Sequence, residues 1–125
     1  MSYYSNRVQS TEPTEVQQVV RFAGGTALVS KLLGRGITVV YVGTGLINLV
    51  WADPQGTYIG LVGHTFDATA PAGVAGYSAV AGDYNAATRT LPINIFSGGN
   101  ALIDLTATQR LTIRPSFKLY NVNAP

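Results

Sequence analysis

The chain has one histidine, His64, and a carboxylate three residues on, Asp67. A histidine and an aspartate can together hold a metal or relay a proton. A zinc site, however, needs three or four protein ligands, and cysteine is absent. His64 therefore reads as a strand residue whose ring is satisfied locally, or as an interface group that titrates near neutral pH. Ser78 in "GYSAV" stands where a nucleophile elbow would place its serine, but Val80 occupies the position of the required second glycine. Asp53, Asp67, Asp83 and Asp104 supply the carboxylates a glycosidase would need in facing pairs. All four fall in predicted turns or loops, where aspartate serves local hydrogen bonds. Gly43-Thr44-Gly45 opens like a dinucleotide fingerprint. Asn48 takes the third glycine's place, and a strand follows instead of a helix, so the motif reads as a hairpin turn. The residue types thus predict no catalytic, cofactor or metal site, and a protein that is not an enzyme.

Two sets of side chains remain that can bind. Arg110, Arg114 and Lys118 are spaced by four and can grip phosphate or meet an acidic loop, with Tyr120 as a possible stacking ring beside them. Trp51, Tyr58, Tyr77 and Tyr84 can line a shelf for sugar, although a tryptophan on an apolar hairpin more often belongs to a core.

The elements that must position these residues are strands. "ITVVYV" (37–42), "LINLVWA" (46–52) and "TYIGLVGHTF" (57–66) are separated by Gly43-Thr44-Gly45 and Asp53-Pro54-Gln55-Gly56, and predict a three-stranded meander. "VQQVVRF" (16–22) and "YSAVA" read as further strands, and "TALVSKLLGRG" fits either a strand or a short helix. Residues 67–76 read as a loop. In "TRTLPINIF" (88–96), Leu91, Ile93 and Ile95 share one face. In "RLTIRPSFKLY" (110–120), Leu111, Ile113, Phe117 and Leu119 share one face, and the basic residues lie on the other. Pro92 and Pro115 each suggest an edge strand or a bulge. Short strands at regular spacing predict an all-β protein, a single antiparallel β-sandwich, best read as a jelly roll. The predicted sandwich covers 16–125, and 1–15 forms an extended N-terminal arm.

Composition bounds the function. The chain of 125 residues is one domain's length, with 11% charged and 46% hydrophobic residues. So few charges suggest surface hidden by partners. A net charge of +2 is too small for an electrostatic nucleic-acid binder, and no segment predicts a membrane span. Charge is uneven along the chain. Arg7, Arg21, Lys31 and Arg35 outweigh Glu12 and Glu15 in the first 35 residues. The middle carries Arg89 against the four aspartates, and the last 16 residues are only basic. That distribution suits contact between copies.

The segments "GRGITVVYVGTGLINLVWADPQGTYIGL", "GYSAVAGDYNAATRTLPINIF" and "RLTIRPSFK" resemble small virion proteins of tailed bacteriophages. Their order over residues 34–120 also resembles the trimeric C1q/TNF-type jelly roll. The resemblance implies a capsid decoration or cement protein that bridges capsomers as a homotrimer on the major capsid protein or another virion protein. It implies assembly in the host cytoplasm and residence in the virion. The alternative it leaves is a receptor-binding or fibre-head module for host carbohydrate. Expected capsid contacts are Tyr3, Tyr4 and Arg7 of the arm, with Arg114 and Lys118. Expected core or trimer packing falls on Val50, Trp51, Ile59 and Leu61.

Overall fold

A computed structural model describes residues 15–118, and they form two antiparallel sheets packed as a sandwich. The strands are β1 (Glu15–Gln17), β2 (Val20–Gly25), β3 (Leu28–Leu33), β4 (Ile37–Gly43), β5 (Leu46–Trp51), β6 (Thr57–Ala68), β7 (Ser78–Ala81), β8 (Thr90–Phe96) and β9 (Gln109–Lys118). A 3-10 turn at Pro71–Val74 follows β6. In the five-stranded sheet, β9 is central. β6 pairs along one side of it, β1 and β2 share the other, and β3 lies outside β2. The four-stranded sheet runs β4-β5-β8-β7.

Alternation builds the core, because successive strand residues point to opposite faces. β5 and β8 bury every second residue: Ile47, Leu49 and Trp51, then Leu91, Ile93 and Ile95. The five-stranded sheet answers with Val20, Phe22, Leu111, Ile113 and Phe117, all fully buried. One end of the sandwich is filled by aromatic rings. Trp51 meets Phe117 edge-on at 5.2 Å, and Tyr84 meets Phe117 at 5.1 Å. At the other end the segment 97–108 crosses over the sheets, with Leu105 buried in the core. It passes so close to β2 that a Cβ on Gly24 would stand 1.9 Å from the Leu105 carbonyl oxygen. Asp104 fastens this segment, accepting from Tyr41 Oη at 2.9 Å and from the Gly45 amide at 2.8 Å. Gly45 itself has φ +68 in the two-residue β4–β5 turn, a conformation that favours glycine.

Several expectations need correction. Residues 37–66 are not one three-stranded meander: β4 and β5 pair as expected, but β6 leaves β5 and joins β9 in the opposite sheet, while β8 takes the place beside β5. Residues 16–22 are not one strand. The chain breaks at Gln18 and Val19, where the Gln18 amide donates to Pro115 and the Gln18 side chain accepts from Trp51 Nε1. Segment 28–33, left open between strand and helix, is a strand. Asp67 and Ala68 belong to β6, not to a loop.

Both prolines lie in interior strands, not edge strands. Antiparallel residues turn N and O to the same side. The Pro92 oxygen accepts from Gly82, just past the end of β7, so its missing N–H faces a place where no strand continues. Pro115 points the same way into the β1–β2 break. The bulge its type suggested lies in β6, whose register shifts on either side of the Leu61–Pro115 pair.

Candidate functional site

The residues with chemical potential are dispersed. His64 is exposed on β6, its ring edge-on to Phe66 at 5.9 Å. Asp67 has other partners. Its Oδ2 accepts from Arg21 at 2.9 Å and from Arg110 at 3.2 Å. The hydrogen bond from Arg21 holds the Asp67 carboxyl below the usual carboxylate range, against the opposing effect of desolvation. Asp53 and Asp83 are exposed in connections, and Asp104 is committed to Tyr41 and Gly45. Desolvation, then the bond to Asp104, raises the Tyr41 phenol above its ordinary value. Among the described residues no group of three or more metal-ligating side chains forms.

The four rings named for a sugar shelf do not share one surface, although the half-buried Tyr58 and Tyr84 line one open groove with Gln55 and Asp83. Trp51 is in the core, Tyr58 and Tyr84 pack on Phe117, and Tyr77 stands edge-on to Phe66 at 5.7 Å. The rings expected to stack on a ligand stack on one another.

Of the basic stripe on β9, Arg110 belongs to an internal network. Arg21 donates to Thr112 Oγ1 at 3.0 Å as well as to Asp67, and Arg110 shares Asp67. Ser116 donates to Glu15 at 2.7 Å. These side chains cover the strand, so Thr112 and Ser116 are buried although they point outward. Arg114 is exposed opposite Gly63, and Lys118 is half-buried opposite Thr57 and Glu15.

The other outer face has a different character. On the four-stranded sheet the outward residues meet in rows across β4, β5 and β8: Thr38, Val50 and Thr90, then Val40, Asn48 and Pro92. A further row joins Leu46, Asn94 and Val80, and Phe96 lies beside Ser78. Val42 projects next to them. No strand of this sheet contains a charged residue. Val40, Val42 and Val80 are 39%, 54% and 54% exposed. Isolated exposed apolar residues are ordinary, but a whole sheet face without a charge is the kind of surface that partners cover. This face is the candidate site. Asn48 and Asn94, with the threonines at 38 and 90, offer hydrogen bonds within it.

Sequence reading reached the face only in part. Val50 lies on it. Trp51 points the opposite way into the core, Leu61 packs inward, and Ile59 is 51% exposed at a bulge of β6. Val40, Val42, Val80, Pro92 and Phe96 were missed, although the lack of charge at every outward position of 37–43 and 90–96 was a readable signal. Tyr3, Tyr4 and Arg7 lie outside the described residues.

Compared with known proteins, the chain matches no family model, no curated protein and no solved structure.

Proposed function

We propose that this protein is a non-enzymatic assembly module that covers the outer face of its four-stranded sheet with sister copies in a homotrimer and serves as a decoration or cement protein on a virion shell. The observation that carries the reading is the uncharged outer face, with Val40, Val42 and Val80 open at its margins. A folded monomer of this size has its own core and does not need those residues for it. Burying them against copies removes apolar surface from water without stranding a charge. An interface of standard size, about 1,600 Å² in total, gives stable association when its centre is well packed.

The virion assignment is supported by the resemblance of residues 34–120 to small phage structural proteins. Trp51 is used inside the core and the half-buried rings of Tyr58, Tyr77 and Tyr84 pack on neighbouring aromatics, which favours the shell reading over a carbohydrate-binding head. Light scattering on the purified protein tests the assembly: a trimer mass at micromolar concentration is expected, and a monomer mass overturns it. Imaging of particles carrying a labelled copy tests the location, with label spread over the head surface expected. Label confined to a tail tip, together with a specific glycan-array signal, overturns the shell assignment.

A further inference from the structure

One aromatic pair is not consumed by the core. Tyr58 of β6 and Tyr84 of the β7–β8 connection are half-buried, and both line an open groove of about 570 Å³ with Gln55, Thr57 and Asp83. That volume lies within the range of about 300–1,000 Å³ usual for small-ligand sites. The two rings stand side by side, centroids 6.3 Å apart and planes 35° from parallel. Each rests on Phe117, at 5.5 Å and 5.1 Å, with its plane steeply inclined to that ring. Phe117 is fully buried, so it holds both tyrosines from within and leaves their remaining surface to the groove.

Polar groups flank the rings, and bonds inside the chain set the position of one of them. The buried indole of Trp51 donates to Gln18 Oε1 at 2.6 Å, Gln18 donates to Gln55 Oε1 at 2.9 Å, and Gln55 donates to the Asp53 carbonyl at 3.0 Å. A side-chain amide has two N–H donors and two acceptor lone pairs, so Gln55 keeps one of each for a ligand. Asp83 is exposed and meets no cation among the described residues. Its ionised carboxylate only accepts hydrogen bonds. Among the described residues no basic side chain lines the groove.

We propose that this groove binds a neutral oligosaccharide. A sugar ring has an apolar C–H face and a rim of hydroxyls, which matches tyrosine rings bordered by an amide and a carboxylate. The one charge in the lining is negative, and it repels acidic sugars. The trough extends beyond a single sugar. It continues past Tyr58 and Asp83 between β6 and β7, where Gly60 and Gly63 have no atom within 4 Å of a would-be Cβ. A proline-rich peptide also stacks in aromatic grooves, but proline has no N–H to give to Asp83, whereas every sugar hydroxyl can donate. None of the residues lining the groove at Tyr58 and Tyr84 belongs to the uncharged outer face, so saccharide binding and assembly use different surfaces. Binding here requires neither the trimer nor the shell.

Trp51, the chain's single tryptophan, stands edge-on to Tyr84 at 5.8 Å, so its fluorescence reports on the groove. The full chain is titrated with neutral trisaccharides of glucose, galactose, mannose and N-acetylglucosamine, and amide NMR shifts locate the binding. At least one trisaccharide is expected to change the emission saturably, with the largest shifts at Gln55, Thr57, Tyr58, Asp83 and Tyr84. Asp83→Asn, at an exposed position, is expected to weaken that sugar about tenfold by loss of a charge-assisted hydrogen bond. Tyr58→Leu is expected to abolish binding; should it fail to fold, Asp83→Asn carries the test. No response to any of the four sugars, shifts centred on another surface, or equal affinity in wild type and Asp83→Asn overturns the site. A sialylated trisaccharide bound as tightly as the neutral one overturns the preference for neutral sugar. A proline-rich peptide that shifts these amides where no sugar does overturns the saccharide. None of these outcomes changes the mass of the protein or its place on the particle, so the assembly reading stands or falls by its own measurements.

Discussion

On the five-stranded sheet, β9 turns Arg110, Thr112, Arg114, Ser116 and Lys118 outward. On the four-stranded sheet, the equally central β8 turns out Thr90, Pro92, Asn94 and Phe96. Of the first set, Arg110, Thr112 and Ser116 find partners in Asp67, Arg21 and Glu15 of neighbouring strands. The second set finds no charge on any neighbouring strand. Both faces belong to one sandwich and share one core. The difference shows that outward side chains can find charged and hydrogen-bonding partners across strands on one face of a sandwich and stand among uncharged neighbours on the other.

The largest effect that can break this contrast is a charge at the centre of the uncharged face. Asn48→Lys would place one ammonium per copy, with no anion near, inside the proposed trimer, and each buried unpaired charge costs several kcal/mol. Its mass by light scattering should fall to that of a monomer, while circular dichroism stays that of the folded chain. Thr65→Lys, exposed on β6 of the other face, should leave the mass unchanged. Next comes the core that both faces share. Phe117→Ala should cost about 3–5 kcal/mol in denaturant unfolding, through lost burial and a cavity.

A smaller effect sharpens the charged side. The folded pKa of Asp67 is lowered, so its contribution to stability is complete above the ordinary carboxylate pKa. That contribution is lost as pH falls through the lower folded value. Melting temperature followed from neutral to strongly acid pH should fall less steeply in Asp67→Asn than in wild type, with no change in mass. The smallest effect is expected at Arg114, exposed opposite a glycine. Arg114→Ala should alter stability by less than about 1 kcal/mol, since exposed charges contribute little. If it matched Phe117→Ala, the strand's inward and outward sets would be exchanged.

Much of this was legible in the residues. The alternation of 90–96 and 111–117 identified two strands and their buried sides. Gly43-Thr44-Gly45 identified the β4–β5 hairpin. The sheet to which β6 belongs was not legible, because a short turn after β5 is equally compatible with pairing back and with crossing over. β9 shows the outcome: β6, at twelve residues, pairs along all ten of its residues, whereas β1 and β2 divide its other side. The prolines misled for a related reason. Each sits where the adjacent strand stops, and that local edge lies inside the sheet. For the site, the low charge of 37–51 was visible. Trp51 was expected in core or trimer packing; it lies in the core, with its indole N–H donating to Gln18, whereas Val50 beside it faces outward.

Glu15 and Lys118 lie directly opposite each other in neighbouring antiparallel strands, so the described chain enters and leaves the sandwich at the same end. That arrangement has a mechanical consequence. Tension applied between the two ends loads the β1–β9 ladder as a zipper, one rung at a time, and not in shear, where all rungs would resist together. β1 has three rungs, Glu15–Lys118, Val16–Phe117 and Gln17–Ser116, before the break opposite Pro115 interrupts the ladder. Under such a load the short strand peels first and lengthens the tether. β9 meanwhile keeps its other side on β6, so the packed sheets are spared until the slack is spent.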